Sequence, residues 1–393
     1  MPTGTVAQRR EAFLPFSLPG IGDDEIREVV DTLRSQWLTT GPKVRRFELE
    51  FAAAFGAPAA LAVNSCTAAL HLALATLGIG PGDEVITTPM TFTASVNAIE
   101  HVGARPVLAD VEPETLNIDP DRVEAALTPR TRAILPVHFA GHPVELDALR
   151  ELAEHARATV VEDAAHAVAA RYRGRWIGSG PNPVAFSFYA TKNLTTGEGG
   201  MLTGTPPFVE RARLLSLHGM SRDAWKRYSK DGSWRYDVVA PGFKYNMSDI
   251  QGSLGLVQLR RLSELQRRRR EIAGRYSSAF ADNDALELPV ERPGTEHAWH
   301  LYVLRLRTAA LRIDRDRFID ELRERRIGVS VHFIPIHVHS YMRRKYGYAP
   351  GDFPVSYSNY LRVLSLPLYP ALSDGDVEDV IGAVLDVVEE FCR

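Results

Sequence analysis

Through its first two-thirds the chain alternates short β-branched or apolar runs with helical ones, and this rhythm narrows the fold more than any other feature. LAV at 61–63 precedes a helix opening near Thr67, and EVITT at 84–88 precedes TASVNAIEHV. RPVLAD at 105–110, AILPVHF at 133–139, ELDALRELAEHA, TVVED at 159–163 and VAFSFY at 184–189 continue the pattern. Short apolar strands separated by helices belong to a parallel or mostly parallel sheet covered on both faces. The expected class is therefore α/β. Two helices come first, one from Asp23 and Asp24 with a stripe through Ile26, Val29, Val30, Leu33 and Trp37, the other over 43–55.

At 393 residues the chain exceeds what one core usually serves, so two packed units are expected. The seam falls near residue 250, where Ser248 and Gln251 have capping-box spacing and open a helix carrying Ile250, Leu254, Val257, Leu262 and Leu265. Residues 1–250, with an N-terminal arm over 1–22, form the larger unit. Residues 251–393 form a connecting helix and a smaller α/β unit: HLYVLRL as a strand, a helix through Phe318 and Leu322, GVSVHF as a strand, and a last helix from Ser373.

A formal charge of −3 implies no general affinity for nucleic acid or anionic lipid, and the RRRR run at 267–270 reads as a solvated helix face. Only Cys66 and Cys392 occur, which excludes a disulfide framework or a cysteine metal site. The opening MPTGTVAQRREAFLPFS lacks the apolar centre of a signal peptide, and no apolar run has bilayer-spanning length. A cytoplasmic protein with neither nucleic acid nor membrane as partner is expected.

Open α/β sheets bind ligands beyond the carboxyl ends of their strands. TVVEDAAHA puts Asp163 at such an end with His166 just after, VAFSFYATK puts Ser187 in a strand and Lys192 past it, and AVNSCTAALHLAL places Thr67 at a strand-to-helix junction. These types suit pyridoxal phosphate. A lysine amine condenses with the aldehyde when burial or a nearby cation keeps it neutral. A carboxylate, here Asp163, keeps the pyridine nitrogen protonated. Thr67, the Ala68 amide and Ser187 offer donors to a phosphate at a helix start, and Phe92 offers a ring face. Each residue alone also has a structural reading: a lysine in a turn, a capping aspartate, a core phenylalanine, a buried histidine bonded to backbone.

Taken in order, the strings FLPFSLPGIGDDEI, WLTTGPKV, NSCTAALHLAL, GDEVITTPMTFTAS, PVHFAGHP, VVEDAAHAV, SFYATKNLTTGEGG, PGFKYNMSDIQGSLG, HAWHLYVLRL and LPLYP resemble the nucleotide-sugar aminotransferases of the DegT/DnrJ/EryC1/StrS group over nearly the whole chain. The resemblance implies the type I fold of pyridoxal-phosphate enzymes, with a large domain on a mostly parallel, seven-stranded-type sheet and a smaller C-terminal α/β domain. It implies that Lys192 bonds the cofactor and shuttles the proton, that Asp163 faces the pyridine nitrogen, and that His166 and Phe92 pack on the ring. Thr67, Ala68 and Ser187 match phosphate contacts. Asn246 matches one reaching in from the other subunit, which implies a homodimer. The implied reaction moves an amino group from L-glutamate, through a pyridoxamine phosphate form of the cofactor, to a nucleotide-linked keto sugar.

Where many members carry a GYNYRM-like string this chain has GFKYNM at 242–247. That departure, with FLPFS and HAWHLYV, resembles the branch aminating C4 of a UDP-linked keto-pentose for lipid A. Thr39 and Thr40 of WLTTGP, and His332 and His337 of GVSVHFIPIH, are the substrate-side candidates. The basic and aromatic segment between His218 and Pro241 is a candidate wrap for the nucleotide-sugar. Two rival activities share the fold. A sugar dehydratase of the group carries histidine in place of the lysine, which Lys192 argues against. A cofactor-binding regulator is normally joined to a DNA-binding segment, and no basic, helix-turn-helix-sized extension stands before residue 12 or after the last helix.

Overall fold

The computed structural model describes residues 10–220 and 236–393. Two four-stranded sheets share the extended run 159–163. On one side Thr159–Val160 is followed by Thr131–Leu135, Glu84–Thr87 and Arg105–Leu108, all parallel. On the other, Glu162–Asp163 pairs in parallel with Val184–Ser187, which is followed by Gly200–Gly204 and Ala59–Val63. A parallel bridge from Val137 to Asp163 stitches the halves together. This is the seven-stranded, mostly parallel sheet implied above, with Gly200–Gly204 antiparallel to both its neighbours.

Side chains alternate across that sheet as a period of two requires. Val184, Phe186, Ala60, Ala62 and Met201 join one core, while Ala185, Leu61, Val63 and Leu202 join the other. The first core is filled by Phe47, Phe51 and Phe55, four residues apart on the helix Pro42–Phe55 and packed on Phe186 and Phe188. The second is filled by the Ala- and Leu-rich helix Cys66–Thr76. Helix Asp249–Phe280, opened by the Ser248 and Gln251 capping box, gives Leu256 and Leu262 to the first core. Its far end gives Ile272, Tyr276 and Phe280 to a third core. That core lies on the antiparallel strands Leu286–Glu287, Tyr302–Leu306 and Val363–Leu366, under Phe318, Leu322 and the valines of helix Asp374–Phe391.

Some boundaries differ from expectation. The strand expected at 133–139 ends at Leu135, because Pro136 has no N–H for the ladder. GVSVHF is not a strand but a single bridge from Ser330 to Ser365, after which His332 bonds the Ser365 hydroxyl by side chain. The first helix stops at Ser35, with Gln36 left-handed at φ 63, so Trp37 lies outside it. Its apolar stripe does not enter the core: Ile26 and Leu33 are 55% and 51% exposed, and Glu25 and Thr32 are buried instead. Glu25 is held there by Arg261 and Gln258. Among the described residues no helix is long and apolar enough to cross a membrane, and no group of His, Cys, Asp and Glu suits a metal ion.

The antiparallel strand sets the helix start at the catalytic edge. A Cβ on Gly200 would lie 2.7 Å from the carbonyl carbon and oxygen of Ser65 and 2.8 Å from the Cys66 nitrogen, which are backbone atoms that cannot rotate away. Gly200→Ala is therefore expected to cost about 1–3 kcal/mol, read as a lowered urea midpoint with unchanged m-value.

Candidate active site

Asp163 stands where the sheet halves meet, 4% exposed. Its Oδ1 accepts from the Ala165 N–H at 3.0 Å and its Oδ2 from the Ser95 hydroxyl at 2.8 Å. Because an ionised carboxylate only accepts, Ser95 must give its hydrogen to Asp163. The Thr91 hydroxyl, 2.8 Å from that of Ser95, must then donate in turn. Both hydroxyls come from the loop and helix after Glu84–Thr87, so a neighbouring strand end aims the carboxylate. Burial pushes its pKa up, while Ser95, the Ala165 amide, Lys192 and His138 pull it back.

Lys192 lies on the loop after Val184–Ser187. Its N–H donates to the Tyr189 carbonyl at 2.9 Å. The threonines that follow close the loop on itself: the Thr196 N–H and Thr195 hydroxyl both reach the Phe188 carbonyl, and Gly197, at φ 78, donates to Thr195. The lysine is partly accessible, yet desolvation of its amine, aided by Arg269 and opposed by Cys66 and Asp163, brings its pKa down to about 8. Arg269 is itself buried, with Nη1 2.7 Å from the Leu368 carbonyl, and burial lowers its pKa to about 10.

Aromatic rings gather beside the amine. His300 Nε2 is 3.4 Å from Lys192 Nζ. The His166 ring centroid lies 4.4 Å from that of His300 and 5.8 Å, stacked at 19°, from that of Phe333. Phe92, 62% exposed at the start of helix Thr93–His101, has its ring centroid 6.3 Å from that of Phe333. His332 packs on Phe16 and Phe333, and burial with the Lys192 charge brings its pKa to about 3.

The strand-to-helix junction is arranged differently from the expectation. Ser65 caps helix Cys66–Thr76, and its hydroxyl takes the Ala68 N–H at 3.1 Å, so that amide is already engaged and the Cys66 and Thr67 amides are the free ends of the first turn. Ser187 is buried, its hydroxyl 3.4 Å from the Tyr189 N–H. Asn246 pairs with Val63 at the same sheet end. It donates to the Thr40 hydroxyl at 2.6 Å and accepts from Lys244 at 2.6 Å, while the Thr39 carbonyl accepts from Asp249. Thr40 and Asn246 thus form a second polar group built from two loops. His337 does not join the lysine: fully buried, it bonds the Pro350 carbonyl and packs on Phe353 and Tyr357, a small core of its own. Much of the His218–Pro241 segment, residues 221–235, lies outside the described residues.

His300, Asn193, Ser95 and Thr91 join this site without having been singled out, and Arg269, expected within the RRRR run on a solvated helix face, is instead buried at 2% exposure. Asn193 and His300 do sit inside the quoted strings SFYATKNLTTGEGG and HAWHLYV, but no spacing rule links residues over a hundred positions apart. The set fits pyridoxal phosphate. A desolvated amine and a fixed carboxylate stand at adjacent strand ends, and the buried His166 Nδ1, in the aromatic cluster beside the amine, has no hydrogen-bond partner among the described residues.

A sequence profile of the DegT/DnrJ/EryC1/StrS aminotransferase family matches residues 19–385. The chain is 55% identical over 386 residues to the spore coat polysaccharide biosynthesis protein SpsC of Bacillus subtilis, covering 98% of this chain and 99% of that one. Among solved structures, the putative sugar aminotransferase Spr1654 of Streptococcus pneumoniae, known in PLP and PMP forms, superposes with TM-score 0.90 at 38% identity, covering 96% of this chain and 99% of that one. DesV of S. venezuelae superposes with TM-score 0.87 at 37% identity over the same shares. The chain belongs to the DegT/DnrJ/EryC1/StrS aminotransferase family and, like it, is an aminotransferase of the type I fold that uses pyridoxal phosphate.

Proposed function

We propose that this enzyme moves an amino group from L-glutamate to the ketone of a nucleotide-linked sugar, at C4 of a UDP- or dTDP-linked substrate. The observation that carries the reading is the Lys192 amine, drawn down to a pKa of about 8 beside a fixed Asp163 and a wall of aromatic rings. The donor rests on the family resemblance. The sugar acceptor draws on SpsC, named for polysaccharide synthesis, and on the sugar aminotransferases among the structural neighbours. Lys192 itself disfavours the dehydratase reading, which needs another residue there.

Bound pyridoxal phosphate supplies an aldehyde for the amine and a ring that takes up the electrons left when a Cα proton departs. Lys192 would act twice, as the amine that binds the aldehyde and as the base that carries the proton from the donor's Cα to the cofactor carbon. Asp163 would stay ionised to hold the proton on the ring nitrogen, with Phe92 stacking on the ring face and His166 packed beside it. Thr67, Ser187 and the start of helix Cys66–Thr76, where Ala68 closes the cap, hold the phosphate. Asn246 completes this grip from a second copy of the chain, with Thr39 and Thr40 on the adjoining loop. The exposed Ile26 and Leu33 support such a homodimer, since an apolar stripe left open in one chain marks a surface for another. His332, close enough to Lys192 for the lysine charge to act on it, is the substrate-side candidate from residues 251–393, whereas His337 is held by the Pro350 carbonyl.

The pH dependence follows from the lysine. A lowered pKa enlarges the neutral, reactive fraction, which at pH 7 is roughly one amine in ten for a pKa of about 8. The rate at which apoprotein captures pyridoxal phosphate should rise about tenfold per pH unit below 8 and level off above it; an unperturbed lysine would keep rising to its ordinary value. The loaded protein should lose its visible band with L-glutamate and regain it with a nucleotide-linked 4-keto sugar. Recovery with simple 2-oxo acids but with no keto sugar nucleotide would refute the sugar assignment.

A further inference from the structure

Beside Lys192 a chain of hydrogen bonds determines which nitrogen of His300 carries its proton. The Ala298 carbonyl, which can only accept, takes Asn193 Nδ2 at 2.7 Å and Gln266 Nε2 at 2.7 Å. Both amides are thereby oriented, and Gln266 Oε1 takes the second Asn193 hydrogen at 3.1 Å. The Asn193 oxygen must then face His300 Nδ1, 3.1 Å away, so Nδ1 bears the hydrogen. His300 is buried, and that burial with the charges of Lys192, His166 and Arg269 holds its pKa well below the ordinary histidine range. A neutral imidazole protonated at Nδ1 presents a bare lone pair at Nε2, and Nε2 is the atom 3.4 Å from Lys192 Nζ. The backbone of His300 is fixed from both sides, its N–H on the Ala140 carbonyl and its carbonyl on Arg269.

We propose that His300 is a positioning residue for Lys192: locked by Asn193 with Nε2 unprotonated, it accepts a hydrogen bond from the lysine amine whenever that amine is free and parks it for its next attack or proton transfer. This rests on the assignment of Lys192 under the proposed function. Arg269 and Ala140 fix the His300 backbone, Asn193 sets its ring tautomer, and the lone pair aims the amine. The acceptor matters at the two moments when lysine is not bonded to the cofactor, capture by the apoprotein and proton transfer after the donor has displaced the lysine. The affinity for the donor itself should not change.

The test compares His300→Phe, which keeps a flat ring without the acceptor, with His300→Gln, whose side-chain oxygen reaches the place of Nε2. Pyridoxal phosphate capture by apoprotein and the single-turnover rate with L-glutamate are measured for each, with melting temperature as a control on folding. His300→Phe should slow both rates about tenfold at unchanged donor KM, the loss of one oriented hydrogen bond in the transition state. His300→Gln should stay within about threefold of the parent. Asn193→Leu, which keeps His300 but frees its tautomer, should slow both rates at a near-parental melting temperature, and it serves if His300→Phe does not fold. Parental rates in His300→Phe or in folded Asn193→Leu, or a His300→Gln as slow as His300→Phe, would overturn the proposal. A parent protein that fails to capture the cofactor at all would overturn the assignment of Lys192, and this inference with it, whereas normal capture by the parent with equal variants overturns this inference alone.

Discussion

Lys192→Ala should lower amino transfer by about 10⁴-fold or more, because one side chain supplies both the covalent attachment and the proton shuttle. The variant should still fold. The amine is desolvated, with a pKa near 8, so the folded chain bears a cost in keeping it that alanine removes. Its loop is closed by Thr195, Thr196 and Asn193, none of which depends on the lysine side chain. A melting temperature at or above the parent's, with no visible cofactor band, separates lost chemistry from lost structure. Retained folding with appreciable amino transfer would count against the role given to this residue.

Asp163→Asn should be nearly as damaging, at roughly 10³-fold in the half-reaction with L-glutamate, because an amide does not hold a proton on the ring nitrogen. The site geometry should survive. The asparagine oxygen can still accept from the Ala165 amide, and its nitrogen can donate to a Ser95 hydroxyl that turns its own hydrogen away. A second readout has a definite sign. Asp163 attracts the Lys192 ammonium and raises its pKa. Removing that charge should move the pH midpoint of cofactor capture below the parental value of about 8, even as turnover collapses. A midpoint moving upward would mean that the two groups are not electrostatically joined.

These expectations rest on a site whose parts were unequally visible in the chain. The sheet was readable because its strands are short apolar runs buried on both faces, and Asp163, Ser187 and Lys192 fall at strand ends where such a sheet puts ligands. A capping box marked Ser248 for the same local reason, a hydroxyl and an amide three residues apart, and the structure has another at Ser373 and Asp376. What escaped notice is non-local. His300 meets Lys192, and Ser95 meets Asp163, only because the sheet and the helix Asp249–Phe280 carry distant segments to one place. The stripe on the first helix located the helix but not its cover: amphipathic spacing states that a face seeks cover, not whether this chain or another copy provides it. His337, in a string that promised a ligand contact, is instead occupied by the Pro350 carbonyl and Phe353.

The most direct test of the central claim is to reduce the pyridoxal-phosphate-loaded protein with borohydride, digest it and map the modified peptide by mass. The account predicts a phosphopyridoxyl group on Lys192, at one per chain, lost when L-glutamate is added before reduction. Labelling at any other lysine, or labelling of Lys192 that L-glutamate does not prevent, would contradict it.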